Sequence, residues 1–115
     1  MDKIANYRAV IKKILTYYAN TRIPANDPNP PGYQLIFDEQ GDHYLLYRTT
    51  WKEELRRIHF CVFHLDIIND KIWVQEDATD YDIVGELEAN NIPKEEIVLA
   101  FHAPYKRPHT GYAIA

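Results

Sequence analysis

Cysteine is nearly missing from this chain: Cys61 is the only one among 115 residues. A single thiol excludes an internal disulfide, and it excludes every paired-cysteine metal site of the CxxC kind. Glycine is sparse, at 4 residues, and none of it forms a phosphate-cradling loop; HExxH is absent as well. No apolar run approaches the roughly 20 residues that span a bilayer. Lys3, Arg8, Lys12 and Lys13 interrupt the stretch where an apolar signal region would lie. The expectation is a soluble, cytoplasmic protein with no membrane association. Excess positive charge is lacking too. At a net charge of -4, the chain is a poor generic DNA binder, because neutralisation of phosphates dominates such affinity.

What is present is a folding sequence. Apolar residues make up 46% and aromatics 13%, enough to bury a core, and the length suits a single domain over 1–115. The charge is unevenly spread. Residues 1–22 carry five cations (Lys3, Arg8, Lys12, Lys13, Arg22) against Asp2, whereas residues 76–96 carry eight acids against Lys94. The basic segment is either a solvated helix face or a complement to an acidic surface on a second copy or a partner.

Ile4, Tyr7, Ile11, Ile14, Leu15 and Tyr18 recur at three- and four-residue spacing. That spacing predicts an N-terminal helix with one apolar stripe, capped by Asp2 and fading near Asn20. Residues 22–32 hold four prolines and read as a mobile loop. Strands follow at Tyr33 to Asp38, His43 to Trp51, Arg56 to Ile68 and Lys71 to Asp77. Gly41 is expected to supply a positive φ in the first turn, and Lys52 to Leu55 reads as a polar turn. Asn69-Asp70 suits a type I′ hairpin. Arg56 to Ile68 is apolar at both parities, which predicts a central strand covered on both faces. A short acidic helix over Asp80 to Asn90, capped by Asp80 or Thr79, precedes a helical turn after Pro93. A short buried strand over Ile97 to Phe101 follows. The fold class is therefore α+β: an N-terminal helix packed on an antiparallel meander, then a short acidic helix and a final short strand.

The residues with the least generic chemistry lie between Arg56 and Asp77. His64 and Asp66, at i and i+2 on a strand, share one face. Such a pair can bind a metal or act as a general base with its orienter, and His102 or His109 can add ligands. The plainer reading is two strand residues hydrogen-bonding each other, with no metal and no cofactor. Cys61 between Phe60 and Val62 reads as a small buried apolar residue. At the C-terminal end, Tyr105, Lys106 and Arg107 stand between Pro104 and Pro108. One aromatic beside two cations either docks a partner's carboxylates or is tied down by Tyr105 packing on the sheet, with the cations solvated. Trp51, Arg57 and Trp73 complete the candidate partner-binding set. The two tryptophans are expected near strand ends and partly exposed, which favours a homodimer burying a sheet face.

Taken together, several segments resemble the XisI family, the controlling factors of fdxN-element excision in cyanobacteria. They are Tyr7-Arg8 and Ile11-Lys12, LIFD at Leu35 to Asp38, DHY at Asp42 to Tyr44, Trp51 and Arg57-Ile58. CVFHLDI at Cys61 to Ile67, KIWVQED at Lys71 to Asp77, Thr79, IPKEEIVLAFH at Ile92 to His102 and PYKR at Pro104 to Arg107 extend the match over nearly the whole chain. Two departures stand out: a longer proline-rich loop at 22–32, and Ala78 in place of a glycine. The resemblance implies a non-enzymatic accessory factor that acts through a XisH-like partner and meets DNA only indirectly, through a recombinase complex. It implies no catalytic residues. Two alternatives remain beside it: a metal-dependent enzyme using His64 and Asp66, and a direct DNA-binding module using the N-terminal cations with Lys106 and Arg107.

Overall fold

Six side chains of one helix form one layer of the core. Helix α1 (Lys3–Thr21) buries Tyr7, Val10, Ile11, Ile14, Leu15 and Tyr18, each worth roughly 1.5–3 kcal/mol of transfer free energy. The structure, a computed structural model, describes residues 2–22, 32–52 and 55–115. The loop at 23–31 and the centre of the Lys52 to Leu55 turn lie outside the described residues. The Asp2 side chain caps α1 by accepting from the Ile4 N–H at 3.0 Å.

Against α1 lies a five-stranded mixed sheet in sequential order: β1 (Tyr33–Asp38), β2 (His43–Lys52), β3 (Arg56–Ile68), β4 (Lys71–Asp77) and β5 (Ile97–Leu99). The first four pair antiparallel; β5 runs parallel to β4. A parallel neighbour needs a crossover. Helix α2 (Ile83–Ala89) and the 3-10 turn Lys94–Glu96 supply it. The β3–β4 hairpin has positive φ at both Asn69 (51°) and Asp70 (63°), as type I′ geometry requires.

Three local expectations change. The residue with positive φ in the β1–β2 turn is Asp42 (57°), not Gly41. Gly41 instead sits close under two side chains: a Cβ there would lie 2.7 Å from Asp38 Oδ2 and 2.9 Å from the His43 ring, and both would have to shift. The cap of α2 is Asp82, which accepts from the Gly85 N–H at 2.9 Å. Ala78 needs no glycine, because its φ is not positive. The Asp77 carboxylate shapes that turn by accepting from the N–H and hydroxyl of Thr79.

The apolar residues at both parities of β3 come from a bulge, not from two covered faces. Leu46 pairs with Phe63 but Tyr47 pairs with Cys61, so Val62 is extra. Phe60 and Val62 line a cleft with Tyr18 on the α1 side, and Phe63 meets the Tyr18 ring on that same side. Beyond the bulge the α1-facing set is Phe63, Leu65 and Ile67, whereas up to it the residues on that side are Phe60 and Val62. Cys61, His64 and Asp66 are left on the other face. Among the described residues, that second face is covered at one edge, by the segment after β5. Ala113 bridges to Val98 there, and Val98 is fully buried.

Candidate functional site

The second face of the sheet gathers polar chemistry around Asp66. Strand β3 points His64 and Asp66 the same way, and the β2–β3 register sets His43 directly opposite Asp66. His43 Nδ1 and His64 Nε2 each lie 2.8 Å from Asp66 Oδ1. Gln75 Nε2, from β4, donates to Asp66 Oδ2 at 3.2 Å. Asp66 is only 6% exposed and is the one buried charged residue among those described. Its hydrogen bond and negative charge push the His43 pKa upward. The structure thus brings together the expected His64 and Asp66 and adds His43. Sequence spacing gave no hint of His43, since it lies on another strand. His102 is not part of this group; its ring packs 4.6 Å from that of Phe101. His109 is exposed in a 3-10 turn.

Chemically, this is an imidazole–carboxylate–imidazole cluster with no activated nucleophile among its partners. Burial pushes the Cys61 thiol pKa up, the opposite of what a reactive cysteine needs. Its Sγ donates to the Phe63 carbonyl at 3.2 Å. A cleft of about 240 Å³ between α1 and the start of α2 is lined by Lys13, Tyr17, Tyr81 and Glu86, which are not arranged as a nucleophile beside a base.

The aromatic and cationic candidates sort into three pairs. Arg57 lies 5.1 Å from the Trp51 ring centroid on neighbouring strands, and both are exposed. Lys106 lies 5.9 Å from the Tyr105 centroid, and Tyr105 is 73% exposed. Arg107 instead lies 5.5 Å over Trp73 and donates to the carbonyls of His102 and Ala100 at 3.2 and 3.3 Å. The two structural expectations for this segment are therefore exchanged. The cation Arg107 ties it to the sheet, and the aromatic Tyr105 is free. Trp73 is not at a strand end either: it sits inside β4, half-buried, with its indole N–H buried and unpaired.

The cations of α1 and of its C-cap Arg22 have partners within the chain. Arg8 makes a two-pronged contact with Asp42 at 2.7 and 3.2 Å, which holds that carboxyl below its usual range. Lys12 pairs with Glu39 at 2.5 Å, Lys3 with Glu96, and Lys13 donates to Asn90 at 2.9 Å. Arg22 stacks over Tyr18 and Tyr81.

Comparison with known proteins agrees with this architecture. The family model described as XisI protein matches residues 1–114. The chain belongs to the XisI family. Two solved XisI structures from Anabaena variabilis ATCC 29413 are similar throughout. One is a crystal structure of the fdxN element excision controlling factor XisI, at 38% identity and a TM-score of 0.84. The other is a XisI-like protein, also at 38% identity, with a TM-score of 0.86. Each alignment covers 99% of this chain and 100% of the XisI chain. No curated protein matches the sequence. No helix among the described residues is long and apolar enough to cross a membrane.

Proposed function

We propose that this protein is a non-enzymatic controlling factor for site-specific excision of a DNA element of the fdxN type, working in the cytoplasm by binding a XisH-like protein. The observation that carries the reading is full-length similarity, at 38% identity, to a protein described as the fdxN element excision controlling factor. Three further features support a docking role over direct DNA contact. The α1 cations have partners inside the chain, so they offer little to a phosphate backbone. Tyr105 and Lys106 stand free on a segment that Arg107 and two prolines hold in place. A pre-ordered aromatic–cation pair loses little freedom on binding and suits a central contact. Trp51 with Arg57 offers a second such pair at the far end of β2 and β3.

Calorimetric titration of the full chain with the XisH-like protein of the same genome tests the mechanism. A saturable one-to-one interaction at micromolar affinity or better is expected. Absence of binding, with both proteins folded, would remove the partner from the account.

A further inference from the structure

Asp66 presents an unusual balance. It is the buried charged residue of the described chain, and it has two imidazoles and an amide around it but no lysine or arginine among its contacts. A buried carboxylate calls for compensating positive charge.

We propose that His43, His64 and Asp66 form a binding site for one divalent first-row transition-metal ion of the borderline class, such as Zn²⁺. Two imidazole nitrogens and a carboxylate oxygen are the donor set that this class takes. The three ligand atoms lie within 4.8 Å of one another. Tetrahedral coordination with bonds of about 2.1 Å spaces ligand atoms about 3.4 Å apart. The two nitrogens, within 4.8 Å of each other, close in by up to about 1.4 Å, and each nitrogen–oxygen separation opens from 2.8 Å by about 0.6 Å. The His43 side chain is 52% exposed and can make most of that change by ring rotation, while Asp66 stays fixed in the sheet. Gln75, which donates to the second carboxylate oxygen, is the outer partner that orients such a ligand. The fourth position opens onto the uncovered sheet face and is left to water. The ligands come from β2 and β3, so the ion ties those strands together on the side away from α1. Each imidazole ligates through a nitrogen without a proton, so His43 Nδ1 and His64 Nε2 take the tautomer that carries the hydrogen on the other ring nitrogen.

The test uses tag-free full-length protein, stripped with a chelator and titrated with Co²⁺ as a visible probe. Expected is a one-to-one rise of d–d absorption with tetrahedral intensity, bleached by Zn²⁺, and a higher melting temperature with either ion. His43→Gln keeps an exposed position polar and able to donate to Asp66, and should leave the protein folded without metal. It should weaken Co²⁺ binding at least as much as loss of an outer partner does, roughly 10- to 100-fold. His64→Gln is the second variant, in case the first perturbs the β1–β2 turn. No saturable absorption, or the same affinity in both variants, would overturn the site. Failure here leaves the excision reading intact, because that reading invokes no metal.

Discussion

The Arg107 guanidinium lies 5.5 Å from the centroid of the Trp73 ring, fastening the last segment of the chain to the sheet face that α1 does not cover. Its Nε and Nη2 also donate to the carbonyls of His102 and Ala100. A cation over indole contributes about 0.5–2 kcal/mol, and each hydrogen bond about 1 kcal/mol. Arg107→Ala is expected to lower stability by about 2 kcal/mol in chemical denaturation. Arg107→Lys should recover only part of it, because an ammonium cannot reproduce the planar fork. Equal stability of wild type and Arg107→Ala would mean that the segment is held by other contacts.

Tyr105 and Lys106 give the opposite forecast. Both side chains are exposed and touch each other. Tyr105→Ala combined with Lys106→Ala should leave the melting curve in place. It should weaken binding to the XisH-like protein by about 2 kcal/mol, the size of a central contact. A lowered melting temperature with unchanged affinity would place the partner surface elsewhere, with Trp51 and Arg57 next in line.

Acid sensitivity should centre partly on Glu96. Burial alone would raise its pKa, but hydrogen bonds from Lys3 and Tyr7 outweigh that and hold it below the ordinary value. A carboxyl depressed in the folded state adds stability that is fully present above its unfolded pKa of about 4.3. That stability is lost as the pH falls through the lower folded value. Tyr7, whose hydroxyl donates to Glu96, is buried. Tyr7→Phe should cost about 1–2 kcal/mol at neutral pH and flatten the acid limb of the stability curve. Urea midpoints measured from pH 7 down to pH 3 read both effects.

Self-association is expected through the β1–β2 part of the open face. Ile36 is 48% exposed and pairs with Leu45; Tyr47 and the exposed Trp51 continue that row along β2. A largely apolar row, interrupted by Thr49, on this sheet face suits a two-fold contact with a second copy. Sedimentation at micromolar concentration should give a dimer, and Ile36→Lys should give a monomer with an unchanged melting curve. A wild-type monomer at that concentration would rule the contact out.

Local patterns were legible where one rule acted alone. The three- and four-residue spacing located α1, and Asn69-Asp70 marked the β3–β4 turn. Long-range placement was harder to read. The bulge at Val62 changes which parity faces α1, so an apolar run at both parities looked like a doubly covered strand. His43 lies far from Asp66 along the chain, and only the β2–β3 register unites them; aligning DHY against HLD across that hairpin was the available signal. Arg107 over Trp73 depends on where the segment after β5 returns, which nothing local encodes. The pairing of α1 cations with Asp42, Glu39 and Glu96 was hidden for the same reason.

Quantifying the excised DNA junction in cells lacking this gene tests the central claim most directly. The account predicts that the junction disappears, returns with the wild-type gene, and stays low with the folded Tyr105→Ala/Lys106→Ala variant. A junction formed at wild-type level without the gene would contradict it.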